Sequence, residues 1–449
     1  MKYKFYKVYI LLLLLVAGCS HNNKIINDLE YYSQNPYDYV DSLKADTPLC
    51  SAETQSRLDS LSLVRYYSCW SDSLLTDTTS TRKLLEYYQG KVLSLKTNPG
   101  YGENKLLRDS TFFYYMHDRT KLDNGFNTLN KGIMLQKANI RVLPSNKPFF
   151  LNFELAGEGY PFDYWQNSTI PMATPVFIYH EIDNWYLISC HLCSGWVEKD
   201  KVAFINNEVI TEIRKEQRIA IVKDRTPIYS KTGEYFGNAD IGTFFGFLFT
   251  TDTQHKAIFV KRNEWGYAES VTINIELSNA ERMPLPLTQS NIAMLAERMM
   301  NQAYGWGGMY YNRDCSQLTL DLFTPFGHIL PRNGNHQASK GGEFISTQNL
   351  KPADYKQFII ENCTPFTSLI RIPGHIMLYL GEVDGNPLVL HNMWGIRTVS
   401  FWGKAGREVV GKTVITSLEV GREIKGVNKK KLMLQRLSGV VKLFESPKP

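Results

Sequence analysis

The sequence has little of three things, and each shortage removes a class of function. Charge of one sign is weak: 50 Lys and Arg stand against 44 Asp and Glu, a formal net charge of +6. Three of those cations, Lys2, Lys4 and Lys7, sit at the extreme N-terminus, so the rest of the chain is closer to neutral. No basic-aromatic motif of a nucleic-acid binder appears, and nucleic acid is not an expected partner. Cysteine is sparse, with seven residues in 449, which is not a disulfide framework. The apolar run Ile10 to Val16 is too short to span a bilayer as a stable helix. Aromatic residues, by contrast, are plentiful, with 26 Tyr and 8 Trp. They suit β-rich modules that stack on glycans or peptides.

A basic start, a short apolar core and small residues before Cys19 describe a secretory signal peptide over residues 1–19. The ending, Leu15-Val16-Ala17-Gly18-Cys19, resembles a bacterial lipobox. That resemblance implies lipidation of Cys19 and a periplasmic protein held to the membrane by lipid alone. With Ser20 beside the anchor, it implies the outer membrane of a Gram-negative cell. Of the other cysteines, Cys50 and Cys69 are placed to pair in an oxidising compartment. Cys190-His191-Leu192-Cys193 has CxxC spacing inside a strand pattern and has no second ligand pair nearby. A structural role is expected there, and neither metal nor cofactor is expected.

Residues 25–130 read as a helical scaffold or clamp: Leu58, Leu61, Leu63 and Val64, then Leu84, Leu85 and Tyr88, recur at near-helical spacing. The pattern then changes to short apolar runs split by Gly, Pro, Asn and Asp, the signature of a small barrel. Within residues 131–207, ANIRVLP (Ala138–Pro144), PFDYWQNS (Pro161–Ser168), DNWYLISC (Asp183–Cys190) and SGWV (Ser194–Val197) together resemble the bacterial SH3-like (SH3b) domain. Residues 208–287 look like a second, similar barrel, and prolines at 284 and 286 end it. A helix from Asn291 to about Ala303, capped by Ser290, opens the last segment, 288–449.

That helix leads into YGWGGMYYNRDCS, Tyr304 to Ser316. Leu318, Leu322 and Phe323 share a helical face, which puts Cys315 on the first turn of a helix after a glycine-rich loop. A helix N-terminus stabilises a thiolate. A nucleophilic cysteine also needs a base, and the base needs an orienting group. Downstream, Gly374-His375-Ile376-Met377-Leu378-Tyr379-Leu380 and Leu388-Val389-Leu390-His391 read as two strands joined by a turn. Cross-strand pairing would bring His375, the base, to His391, its orienting partner. His328 and His336 are rivals for the base, and Cys363 reads as packing.

YGWGG…DCS, GHIMLYLG and VLH, in that order, resemble the NlpC/p60 cysteine peptidases of the bacterial cell wall. The resemblance implies a multidomain α+β protein: a helical N-terminal segment, two small SH3b β-barrels and a C-terminal papain-like domain. It implies a triad of Cys315, His375 and His391, with Tyr304 helping the oxyanion. SH3b-bearing members of the family cut the bond between D-Glu and the diamino acid of murein peptides and favour a free L-Ala amine. On that pattern Asp314 and Ser316 would accept hydrogen bonds from the amine. Arg332 would meet a substrate carboxylate or serve in a salt bridge, and Asn333 would contact the peptide. Asp163 and Tyr164 would stand in the wall that the first barrel contributes. Murein peptides are the expected partner and a monomer the expected state. Two other readings stay open: a non-catalytic wall-binding lipoprotein, and an amidase or acyltransferase of the same superfamily.

Overall fold

A computed structural model of the protein describes residues 26–400 and 402–444. The expected signal segment and Cys19 lie outside them. The N-terminal part holds three long helices, α1 (Ala52–Tyr66), α2 (Thr78–Leu93) and α3 (Ser110–Thr120), besides shorter turns of helix. Each has a side-chain cap, from Ser51, Asp77 and Asp109 respectively, which satisfies a backbone donor left over at the helix start. Among the described residues no helix is long and apolar enough to cross a membrane.

The apolar repeat of α1 does not mark its buried face. Leu61 and Val64 point outward, 57% and 74% exposed, while Asp59, Ser62 and Tyr66 are buried. The reason is polar. Both carboxylate oxygens of Asp59 accept from Arg218, at 2.9 and 2.5 Å, and Ser62 Oγ accepts from the Ile329 amide at 3.1 Å. A buried ion must be fully paired, and that requirement sets the rotation of the helix. Helices α2 and α3 follow the simpler rule. Tyr88, Val92, Phe113 and Met116 share a core with Trp165, Trp185 and Trp196 of the first sheet.

That sheet has seven antiparallel strands in the order β3-β2-β6-β5-β4-β1-β7. In chain order they are β1 (Asn130–Met134), β2 (Ala138–Arg141), β3 (Gln166–Ile170), β4 (Pro175–Ile182), β5 (Trp185–Ser189), β6 (Ser194–Glu198) and β7 (Val202–Phe204). The Cys190–Cys193 segment is the turn between β5 and β6, closed by Cys190 N–H donating to the Cys193 carbonyl at 2.8 Å, and is not part of a strand. All six described cysteines are free. Cys69 packs beside Cys190 while Cys50 packs with a different core, so the pairing of Cys50 with Cys69 is not formed.

The second sheet also has seven strands: β8 (Arg218–Ile221), β9 (Thr226–Ser230), β10 (Tyr235–Ala239), β11 (Phe244–Thr250), β12 (Gln254–Arg262), β13 (Ala268–Glu276) and β14 (Ala280–Met283), ordered β10-β9-β13-β12-β11-β8-β14. Helix α4 follows at Gln289–Met299. It starts two residues before the expected position, because Thr288, rather than Ser290, accepts from the Asn291 amide.

Helix α5 (Cys315–Phe323) is wedged between the second sheet and a third. Leu318, Leu320, Leu322 and Phe323 meet Ala220 and Phe244 on one side and Leu378, Leu390 and Ile415 on the other. The third sheet contains β15 (Glu343–Ser346), β16 (Ser368–Ile372), β17 (His375–Val383), β18 (Asn386–Val399), β19 (Ala405–Ser417) and β20 (Gly439–Lys442), in the order β15-β20-β16-β17-β18-β19.

Candidate active site

Cys315 opens α5, immediately after its cap. The Asp314 side chain accepts from the Gln317 amide at 2.8 Å, and Cys315 lines a cavity of about 540 Å³ with His375. The thiol lies close to the Ile376 amide, which, with the Ser316 amide, would stabilise negative charge on sulfur. The environment as a whole works against the free thiolate expected at a helix start. Burial and the Asp314 carboxylate push the Cys315 thiol up to about 12. The resting nucleophile is therefore a neutral thiol.

His375 opens β17, and His391 lies on β18. Register pairs Leu378 with Leu390, so the two histidines are diagonal rather than directly opposite, within reach of long side chains. His375 Nε2 lies 2.7 Å from His391 Nδ1, and His391 Nε2 lies 3.0 Å from Thr416 Oγ1. The Thr416 hydroxyl donates its only proton to the Ser417 carbonyl at 2.9 Å, so its oxygen must accept from His391 Nε2–H. This assignment comes from the hydrogen-bond network, and it fixes the rest. His391 Nδ1 is a lone pair, His375 Nε2–H donates to it, and His375 Nδ1 is left unprotonated for the thiol. Burial and the nearby Arg436 guanidinium lower His375 to about 4, so the base is neutral at pH 7. His391 is lowered further, by burial and by His375.

Sequence reasoning missed Thr416. The local pattern gives no signal, since Thr413-Val414-Ile415-Thr416 does not alternate; only the register, which places Thr416 opposite Val389, puts it on the face of His391. Thr416→Val strands a buried N–H and unlocks both tautomers. Losing such a bond costs about 1–3 kcal/mol, so kcat falls about tenfold or more while KM holds, and Thr416→Ser restores it. Steady-state kinetics on the three proteins checks this.

Tyr304 lines the same cavity. Burial and proximity to Cys315 raise its hydroxyl well above the ordinary value, so it stays protonated and can donate. Asp314, Ser316 and Arg332 form one buried network. Arg332 donates to Asp314 Oδ2 at 2.8 Å and Oδ1 at 3.1 Å, to Ser316 Oγ at 3.1 Å and to Ser168 Oγ at 2.7 Å. Burial opposes the Asp314 charge, yet Arg332 holds its carboxyl below the usual range. Arg332 is thus in a salt bridge and holds the helix cap. Asn333 caps the short helix Gly334–Lys340 by accepting from the His336 amide at 2.9 Å, and it lines the cavity. Arg371, also missed, lines the cavity too and donates to Asn335 Oδ1 at 2.7 Å. His336 borders the cavity but bonds to Asn333. His328 is buried against Phe444 and the Gly341 carbonyl.

The first sheet forms one wall, but only one of the two expected wall residues faces the cleft. Tyr164 lines it, with its ring centroid 5.8 Å from that of Trp306. Asp163 does not: it is 3% exposed, accepts from Arg141 at 2.7 Å, and binds the Phe149 and Trp165 amides, both at 2.9 Å. Set back from the cleft, this carboxylate anchors the turn. The Trp306-Gly307-Gly308 loop is pressed against β3. A Cβ on Gly307 would lie 2.3 Å from the Gln166 carbonyl oxygen, and one on Gly308 2.5 Å from Thr169 Oγ1. Both glycines have positive φ, 59° and 88°, which larger residues rarely adopt. Among the described residues no group of three or more His, Cys, Asp or Glu is arranged to hold a metal.

A cysteine on a helix start, in one cleft with a histidine pair carried by two inner strands of an antiparallel sheet, is the architecture of a thiol hydrolase. Residues 301–401 match the NlpC/P60 family, 148–198 an SH3 domain of the SH3b1 type, and 8–124 the N-terminal stabilising domain of NlpC/P60 proteins. The chain thus carries an NlpC/P60 domain preceded by an SH3b1-type SH3 domain and the N-terminal stabilising domain of NlpC/P60 proteins. Among solved structures it is similar to an NlpC/P60 endopeptidase from Photobacterium damselae subsp. piscicida. The identity is 24%, covering 93% of this chain and 98% of that one, with a TM-score of 0.81. It is also matched by an NlpC/P60 family protein from Bacillus cereus ATCC 10987, at 12% identity over 70% of this chain and 100% of that one, with a TM-score of 0.47. No curated protein matches the sequence.

Proposed function

We propose that this protein is a cell-wall cysteine endopeptidase that cuts the γ-D-Glu–diamino acid bond of murein stem peptides carrying a free N-terminal L-Ala. The observation that carries the reading is the His375–His391–Thr416 chain, which shares a cleft with Cys315 and with one ionised carboxylate, Asp314, beside that cysteine. A free amine is a cation, and Asp314 is the carboxylate lining that half of the cleft among the described residues. Tyr164 and Trp306 border the cleft, which suits a short stem end rather than an acylated one.

In the reaction Cys315 Sγ attacks the γ-carbonyl as its proton passes to His375 Nδ1. The S–C bond forms, and Tyr304 and backbone amides near Cys315 hold the oxyanion. The C–N bond then breaks, and His375 gives the proton to the leaving amine. Water, deprotonated by His375, hydrolyses the thioester and restores the thiol. His391 stays neutral throughout and holds the ring. The same proposal places the mature chain in the periplasm, monomeric and anchored through lipidated Cys19.

The purified protein is incubated with L-Ala-γ-D-Glu-diaminopimelate, the same tripeptide N-acetylated, and intact sacculi. Mass spectrometry should show L-Ala-D-Glu released from the free tripeptide, with release from the acetylated peptide at least about tenfold slower, as expected for one lost charge-assisted contact. Equal cleavage of both tripeptides removes the amine-reading role of Asp314. Cleavage of none of the three rejects the activity.

A further inference from the structure

Beyond His375 the cleft continues into a second chamber, which shares Tyr164, Tyr304, Trp306 and His375 with the first. Its chemistry is the reverse of the Asp314 side. Arg397, Arg407 and Arg436 line it, with Lys431 at the rim. Arg397 and Arg407 are directly paired across β18 and β19, a like-charge arrangement that costs stability. Among the described residues none of the three arginines is in an ion pair with a carboxylate. Arg407 donates to the Gly406 carbonyl at 2.9 Å and Arg436 to the Pro373 carbonyl at 2.5 Å. Burial and the neighbouring Arg397 lower Arg407, and burial, Arg397 and Arg407 lower Arg436, so the cations repel one another. One acid, Glu158, stands in the same chamber on the loop of the first sheet. Lys404, bonded to Glu154 at 3.3 Å, ties that loop to the β18–β19 hairpin.

Mutually repelling guanidiniums around a cavity are a site for an anion that the chain does not supply. Its place relative to the nucleophile says which anion. His375 protonates the leaving amine, and the acyl half of the substrate lies toward Asp314. The chamber beyond His375 therefore takes the leaving half.

We propose that Arg397, Arg407 and Arg436 read the carboxylates of the leaving diamino acid and select one whose side chain ends in a carboxylate as well as an amine, as in diaminopimelate, over lysine. This rests on the endopeptidase reading above. Both amino acids present an α-carboxylate when they end the peptide. Only the diaminopimelate side chain adds a second carboxylate for the arginines, with its ammonium left for Glu158. A lysine side chain brings an ammonium alone into a chamber of net positive charge.

The test compares three tripeptides, L-Ala-γ-D-Glu joined to diaminopimelate, to lysine, or to diaminopimelate with its side-chain carboxyl amidated. Wild-type kcat/KM should be at least about tenfold higher for the first than for either other, mainly through KM, since one charge-assisted contact is worth about that factor. In the double variant Arg397→Gln/Arg407→Gln the diaminopimelate peptide should fall toward the lysine peptide, whose own rate changes about twofold or less. Equal wild-type rates on all three overturn the proposal whether or not the variant folds. Discrimination that survives in a folded variant also overturns it. Cleavage of none of the three by the wild type rejects the endopeptidase reading and this inference with it.

Discussion

Turnover falls to background in Cys315→Ala, and in His375→Ala it drops by about 10²- to 10⁴-fold, the usual contribution of a positioned general base. Both side chains border the cleft, so each variant should keep the wild-type circular dichroism and melting profile. The resting pair is neutral, with the thiol pushed up to about 12 and His375 lowered to about 4. A pH profile follows with a definite sign. Protonated His375 cannot accept the thiol proton, so kcat/KM falls as pH drops through about 4 and is level near neutrality. Iodoacetamide should alkylate Cys315 slowly at pH 6–7 and faster as pH rises. Rapid alkylation at pH 5, or an acid limb near 6.5, would show a thiolate–imidazolium pair at rest and sink the neutral-pair account.

Arg332→Ala should lower stability by about 3–5 kcal/mol, the cost of breaking a buried pair from one side. The Asp314 carboxylate loses the guanidinium that keeps it ionised, and Ser168 and Ser316 lose a donor each. With Arg332 gone, burial is opposed only by the Gln317 amide and the Ser316 hydroxyl, and the Asp314 pKa rises. The site then lacks the anion proposed to read the substrate amine. Denaturant unfolding measures the first effect. The second appears in the tripeptide that survives in folded protein: its KM rises and its preference over the acetylated analogue shrinks. Arg332→Lys keeps the charge without the fork that spans Asp314 and Ser316, and should recover part of the stability and little of the geometry. A variant as stable as wild type would show that the network is incidental.

The fold and the reacting groups were legible in the sequence to different depths. Cys315, His375 and His391 could be found because their positions obey local rules: a helix start, a strand start, and a hairpin whose two strands must pair. The WGG loop announced itself through adjacent glycines, though only the structure shows that β3 presses on it. What stayed hidden depended on partners distant in sequence. Nothing near Asp59 in sequence foretells Arg218, which reaches it from far along the chain. The inward face of α1 therefore does not follow from the spacing of its leucines. Asp163 in PFDYWQ read as a residue of the cleft wall because nothing nearby in sequence foretells Arg141 reaching it. The arginine chamber draws on β18, β19 and the segment before β20, and no short motif contains all three.

The seam between the glycine loop and β3 has one more implication, concerning inheritance. There is no room for even a methyl group between Gly307 and Gln166, or between Gly308 and Thr169. The two surfaces therefore fit only as a matched pair. A catalytic segment joined to a different β-module would meet the wrong contour at the loop that precedes its own nucleophile. Recombination at this junction should be purged, and the pair should descend as a single cassette. The breakpoints that survive should fall elsewhere in the chain.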